Sequence, residues 1–119
     1  MKQVVIIDES SVFRDFISEK FESQNTSLSV CIGKLDSLSK MRSLLPDLAI
    51  IDYTTAKDFL FDLLEEKSRD PNAKSIPVIL MAHELEKAVL NRLASLGVRK
   101  IIPKPVKIDQ LFSAVSGYL

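Results

Sequence analysis

Five short apolar runs recur along the chain, each followed by a longer stretch in which apolar residues return every three or four positions. The runs are Val4–Ile7, Leu28–Ile32, Leu48–Ile51, Val78–Met81 and Val98–Ile102, the last of which carries Arg99 and Lys100. An unbroken Val/Ile/Leu run, unlike an alternating one, predicts a strand covered on both faces, as in a parallel sheet. The stretches between them predict helices with one apolar stripe each. Val12, Phe13, Phe16, Ile17 and Phe21 form the first stripe, with Ser10 or Ser11 as N-cap. Leu38, Met41, Leu44 and Leu45 form the second, stopped by Pro46. Phe59, Leu60, Leu63 and Leu64 form the third. Leu85, Val89, Leu90, Leu93 and Leu96 form the fourth, closed by Gly97, and Ile108, Leu111, Phe112 and Val115 the fifth.

Five strand–helix units in strict alternation predict an α/β fold: a single doubly wound five-stranded parallel sheet with five helices on its two faces. At this length the flavodoxin-like strand order 2-1-3-4-5 is expected. The 119 residues are read as one domain, residues 1–119, large enough for a single core. Asp70-Pro71-Asn72-Ala73-Lys74 is read as a surface connection within it, not a boundary.

Composition narrows the class without naming it. Sixteen Lys and Arg balance sixteen Asp and Glu, so no basic surplus favours direct nucleic-acid binding. The lone Cys31 cannot form an internal disulfide and fits a reducing compartment; its place in an apolar run predicts a buried side chain. No run approaches the length of a membrane span, and the start of the chain does not read as a signal peptide, so a cytoplasmic domain is expected.

In an open α/β sheet, ligands bind beyond the carboxyl ends of the strands at the point where the order reverses, here between strands 1 and 3. Strand 1 runs into Asp8-Glu9, strand 3 into Asp52 and strand 5 into Pro103-Lys104-Pro105. Carboxylates gathered there repel one another unless a cation is present, and Mg²⁺, a hard oxygen-seeking ion, suits such a set. A carboxylate beside that ion can accept a phosphoryl group, with an ammonium such as Lys104 neutralising charge. Each residue taken singly has a plainer reading. Asp8 and Glu9 can cap the first helix, Asp52 can be a turn residue, and Lys104 can be a solvated cation. Their joint placement favours the functional one.

These residues resemble the receiver (CheY-like) family of response regulators over nearly the whole chain. Val4–Ser10 followed by Arg14 resembles the family's opening strand, acidic pair and basic residue. Pro46–Asp52 resembles its phosphoacceptor strand, Ile76–Met81 its fourth strand, and Lys104-Pro105 its lysine and cis-proline. The resemblance implies Asp52 as phosphoacceptor. It implies Mg²⁺ held by Glu9 directly, by Asp8 through water, by Asp52 and by the Thr54 backbone carbonyl. It further implies Lys104 on a phosphoryl oxygen and a cis bond before Pro105. The expected partners are a sensor histidine kinase or phosphotransfer protein and an output domain or partner protein. The domain is expected not to be an enzyme beyond self-catalysed phosphotransfer and dephosphorylation. It is also read as the candidate N-terminal part of a longer regulator, and a homodimer through the Leu85–Leu96 helix, strand 5 and the last helix is left open.

Departures bear on the switch. Ala82 stands where the family has a Ser or Thr at the end of strand 4, and Ile101 where it has an aromatic residue in strand 5. Thr55-Ala56 stands where Met-Pro is common, with no following Gly. His83, the only histidine, is a candidate neighbour of the phosphoryl pocket; an exposed loop side chain is the preferred reading. A pseudo-receiver, binding a partner without phosphorylation, is therefore the alternative function. A flavin-binding enzyme is disfavoured, because the loop after strand 1 has two acids and no glycine.

Overall fold

A computed structural model describes residues 1–119. Strands β1 (Lys2–Ile7), β2 (Thr26–Cys31), β3 (Leu48–Asp52), β4 (Val78–Ala82) and β5 (Val98–Pro103) form one sheet in the order β2-β1-β3-β4-β5. Every neighbouring pair is parallel. The helices are α1 (Ser11–Ser23), α2 (Lys34–Leu44), α3 (Tyr53–Ala56), α4 (Leu60–Arg69), α5 (Lys87–Ser95) and α6 (Ile108–Ser116). The doubly wound order expected from the alternation is the one observed.

The central strands alternate their side chains between two cores, which is why their sequences lack a polar face. Val5, Ile7, Ala49, Ile51, Val78 and Leu80 join Leu38 and Met41 of α2, Leu60, Leu63 and Leu64 of α4, and Leu93 of α5. Val4, Ile6, Leu48, Ile50, Ile79 and Met81 join Ile17 and Phe21 of α1 and Leu111, Phe112 and Val115 of α6. Phe21 and Phe112 meet there with ring centroids 4.7 Å apart.

Three expectations need correction. There are six helices, not five: α3 is a single turn of four residues, too short to carry an apolar stripe, and it starts where the Asp52 side chain caps its backbone. In α1 only Ile17 and Phe21 are buried; Val12 and Phe16 are 81% and 59% exposed, so the inward stripe is narrower than the periodicity predicts. Leu45 does not extend the α2 stripe, because it adopts a left-handed conformation (φ 47°) at the C-cap and points to solvent. Gly97 follows the α5 C-cap with φ 96°, a conformation in which a side chain is strained.

A cleft of two carboxylates and a lysine at the sheet's carboxyl end

Parallel register brings the strand ends together. Val4 to Ile7 pair in step with Leu48 to Ile51, so the next residues, Asp8 and Asp52, emerge side by side. Ala82 pairs with Pro103, which sets the following residues, His83 and Lys104, at the same end. All four line a cleft of about 390 Å³, with Ser10, Met81 and Pro105 among its other walls. The Lys104–Pro105 peptide bond is cis.

Asp8 and Asp52 are both buried, an expensive arrangement for two like charges. Lys104 offsets part of that cost: its ammonium forms an ion pair with Asp52 Oδ1 and lies 3.2 Å from the Thr54 hydroxyl. The other oxygen, Asp52 Oδ2, accepts two hydrogen bonds from Thr55, from its backbone N–H at 3.0 Å and its hydroxyl at 2.7 Å. Asp8 Oδ1 accepts the Ser10 N–H at 2.8 Å. Burial pushes the Asp8 carboxyl above its ordinary range; the Ser10 bond pulls it down, Asp52 pushes it up again, and Lys104 and Arg14 pull it down. One lysine thus leaves the pair of carboxylates undercompensated, a charge pattern that fits a small divalent cation with few protein ligands.

The expected residues are gathered unequally. Asp8, Asp52, Lys104 and Pro105 converge on the cleft, and His83 lines it while remaining exposed. Glu9 is exposed and does not line the cleft; it touches the site through its backbone N–H, which donates to the Thr55 hydroxyl at 3.0 Å. No three His, Cys, Asp or Glu side chains converge in a metal-binding arrangement. Ala82 is buried and presents no hydroxyl; its carbonyl accepts the Lys104 N–H at 3.1 Å. Ile101 is half-buried against the core shared with α5. Thr55 and Ser10 add polar contacts to the site; the sequence offers Ser10 as a helix cap and gives no direction for the Thr55 hydroxyl. The signal for these contacts is position: each lies two or three residues past a strand-end acid, where a turn folds back on that acid.

The sequence model of the response regulator receiver domain family matches residues 4–116. The chain belongs to that family. Among curated proteins it is similar to the Regulator of RpoS of Escherichia coli K12, at 26% identity over 106 residues, 89% of this chain and 31% of that protein. The receiver thus spans about a third of the length of the curated relatives it matches. Among solved structures it resembles the chemotaxis protein CheY4 of Vibrio cholerae, with a TM-score of 0.85 at 17% identity, covering 100% of this chain and 99% of that one. It also resembles the signal receiver domain of a DNA-binding response regulator from Colwellia psychrerythraea, with a TM-score of 0.82 at 18% identity, covering 98% and 97% of the two chains. These structures share the receiver fold. No helix of this receiver is long and apolar enough to cross a membrane.

Proposed function

We propose that this receiver accepts a phosphoryl group on Asp52 in a Mg²⁺-dependent reaction and passes the change to an output domain or partner protein. The donor would be a sensor histidine kinase or phosphotransfer protein in the cytoplasm. The observation that carries this reading is Asp52 itself: a buried carboxylate paired to Lys104 and set beside Asp8 in one cleft. Its oxygen attacks phosphorus, and the bond from phosphorus to the donor's leaving group breaks as the new P–O bond forms. Lys104 is within reach to move from the carboxylate to a phosphoryl oxygen and neutralise charge there. Asp8 and Asp52 would hold Mg²⁺, with Glu9 and the Thr54 carbonyl as the further donors implied by the family, and water elsewhere. When bound, the ion neutralises charge on the carboxylates and on the incoming phosphoryl oxygens. On this reading the domain is a phosphoacceptor whose own catalysis is limited to gaining and losing that group.

A second reading, a pseudo-receiver that binds its partner without phosphorylation, draws on two observations. Both Asp52 oxygens already have partners in Lys104 and Thr55, and Ala82 offers no hydroxyl to a phosphoryl group. The missing hydrogen bond weakens the acylphosphate by about 1–3 kcal/mol, which lowers its population without forbidding it. Incubation with acetyl phosphate and Mg²⁺ followed by intact mass separates the two. A phosphate adduct is expected in the wild type and absent in Asp52→Asn or when EDTA replaces Mg²⁺. Folded wild-type protein that takes no adduct, where an ordinary receiver is labelled, overturns the first reading in favour of the second.

A further inference from the structure

The two oxygens of Asp52 have different surroundings. Oδ1 meets the Lys104 ammonium in an ion pair and accepts no hydrogen bond from any other group. Oδ2 is held by the N–H and the hydroxyl of Thr55, at 3.0 and 2.7 Å. The same hydroxyl accepts the Glu9 N–H at 3.0 Å, which fixes its lone pair on the β1–α1 loop and aims its proton at Asp52. Thr55-Ala56 occupies the place where the family commonly has Met-Pro, so this hydroxyl is a feature of this chain.

Building on the phosphoacceptor reading, we propose that Thr55 is a positioning residue that commits Asp52 to react through Oδ1 and shortens the lifetime of the phosphoryl group it takes. With Oδ2 held by two hydrogen bonds, Oδ1 is the oxygen that attacks phosphorus once the Lys104 ammonium moves from it to a phosphoryl oxygen. Oδ2 then becomes the carbonyl oxygen of the acylphosphate. In hydrolysis a water oxygen attacks phosphorus and the P–Oδ1 bond breaks. Its electron pair returns to the carboxylate, and the protons of the water remain with inorganic phosphate or pass to solvent. Negative charge therefore grows on Oδ2 as that bond breaks. Donors aimed at Oδ2 bind the departing carboxylate more strongly than the neutral carbonyl, so they lower the barrier to loss of phosphate. The same bonds stabilise the free carboxylate before reaction, so they also bias the equilibrium towards the unphosphorylated domain.

The test is the decay of the label, followed by intact mass after acetyl phosphate is removed with Mg²⁺ kept present. Thr55→Val, which keeps the shape and the backbone N–H but loses the hydroxyl, is expected to slow decay about tenfold, equivalent to about 1.4 kcal/mol. Thr55→Ser is expected to decay within about threefold of wild type. A merely structural role would lower the melting temperature of Thr55→Val without lengthening the life of its label. Slowing of less than about threefold in a Thr55→Val protein that takes the label overturns the proposal and leaves the phosphoacceptor reading standing. So does Thr55→Ser decaying as slowly as Thr55→Val. Absence of label in the wild type overturns both.

Discussion

Lys67 is the one basic side chain buried in the core, and no carboxylate meets it. Its ammonium has a single acceptor, the Lys74 carbonyl at 3.3 Å. Burial lowers its pKa from 10.5 to about 8, and the like charge of Arg99 adds to that shift. Between those values the unfolded chain binds more protons than the folded one, so this group's contribution makes stability rise as pH climbs from about 8 to 10.5. The rise has an upper limit of about 3 kcal/mol. Cys31 opposes it: burial holds its thiol above 9.0, so the unfolded chain loses that proton first and stability falls above that pH. The comparison that isolates Lys67 is wild type against Lys67→Met in urea melts at pH 7.5 and 10. Lys67→Met should be the more stable protein at pH 7.5, and its advantage should shrink at pH 10. An advantage that stays constant would mean the ammonium is not penalised by burial. Neither the burial of Lys67 nor the aim of Thr55 was legible in sequence. Residue spacing says where a side chain starts, while its direction is decided by what packs around it, and Glu9 and Thr55 show the difference. The acid that resemblance makes a metal ligand faces solvent, and the neutral hydroxyl three residues past Asp52 faces the Asp52 carboxylate.

At the scale of elements, periodicity located every strand and the five longer helices, because each must bury a continuous apolar surface to be stable. It failed where no such surface exists. α3 is one turn held by the Asp52 cap and not by a stripe, so it left no periodic trace. In α1, Val12 and Phe16 sit four apart and read as one face with Phe13 and Ile17, yet they lie outside the contact with the sheet. The two kinds of apolar position should separate in mutation. Val12→Ser and Phe16→Ser should change stability by no more than about 0.5 kcal/mol, whereas Phe21→Ala should cost about 3–5 kcal/mol. Chemical denaturation midpoints of the three variants decide it. A loss above about 2 kcal/mol at Phe16 would place that ring in a packed contact, contrary to its exposure.

For the whole molecule, the question is how a change at Asp52 would travel to the face made by α5, β5 and α6. A switch needs contacts that differ between its two states, and the two side chains best placed to supply them are altered here. Ala82 is buried with no polar side-chain atom, and the direct hydrogen bond from its residue to the start of the β5–α6 loop is the Lys104 N–H to the Ala82 carbonyl. That backbone bond lies in the continuation of the β4–β5 ladder and involves no group that a phosphoryl oxygen can recruit. Ile101 packs against the core with Leu85, Val89 and Leu96, and an aliphatic side chain has no hydroxyl or ring edge to exchange between a wet and a buried position. If Asp52 takes a phosphoryl group as proposed, its effect is therefore expected to be local. In amide spectra of the domain with and without the label, shifts should cluster at Asp8–Ser10, Asp52–Ala56, Ala82–Glu84 and Lys104, the segments bordering the cleft. Val89, Leu93, Arg99 and Ile101 should move little. Shifts at those four positions as large as at Ala82 would show a route of coupling that does not need a hydroxyl or an aromatic lever. In that case the α5–β5–α6 surface would be the place to look for the partner. If the shifts stay local, the output must be read near the cleft itself, where the loops after β1 and β3 are tied together through Glu9 and Thr55.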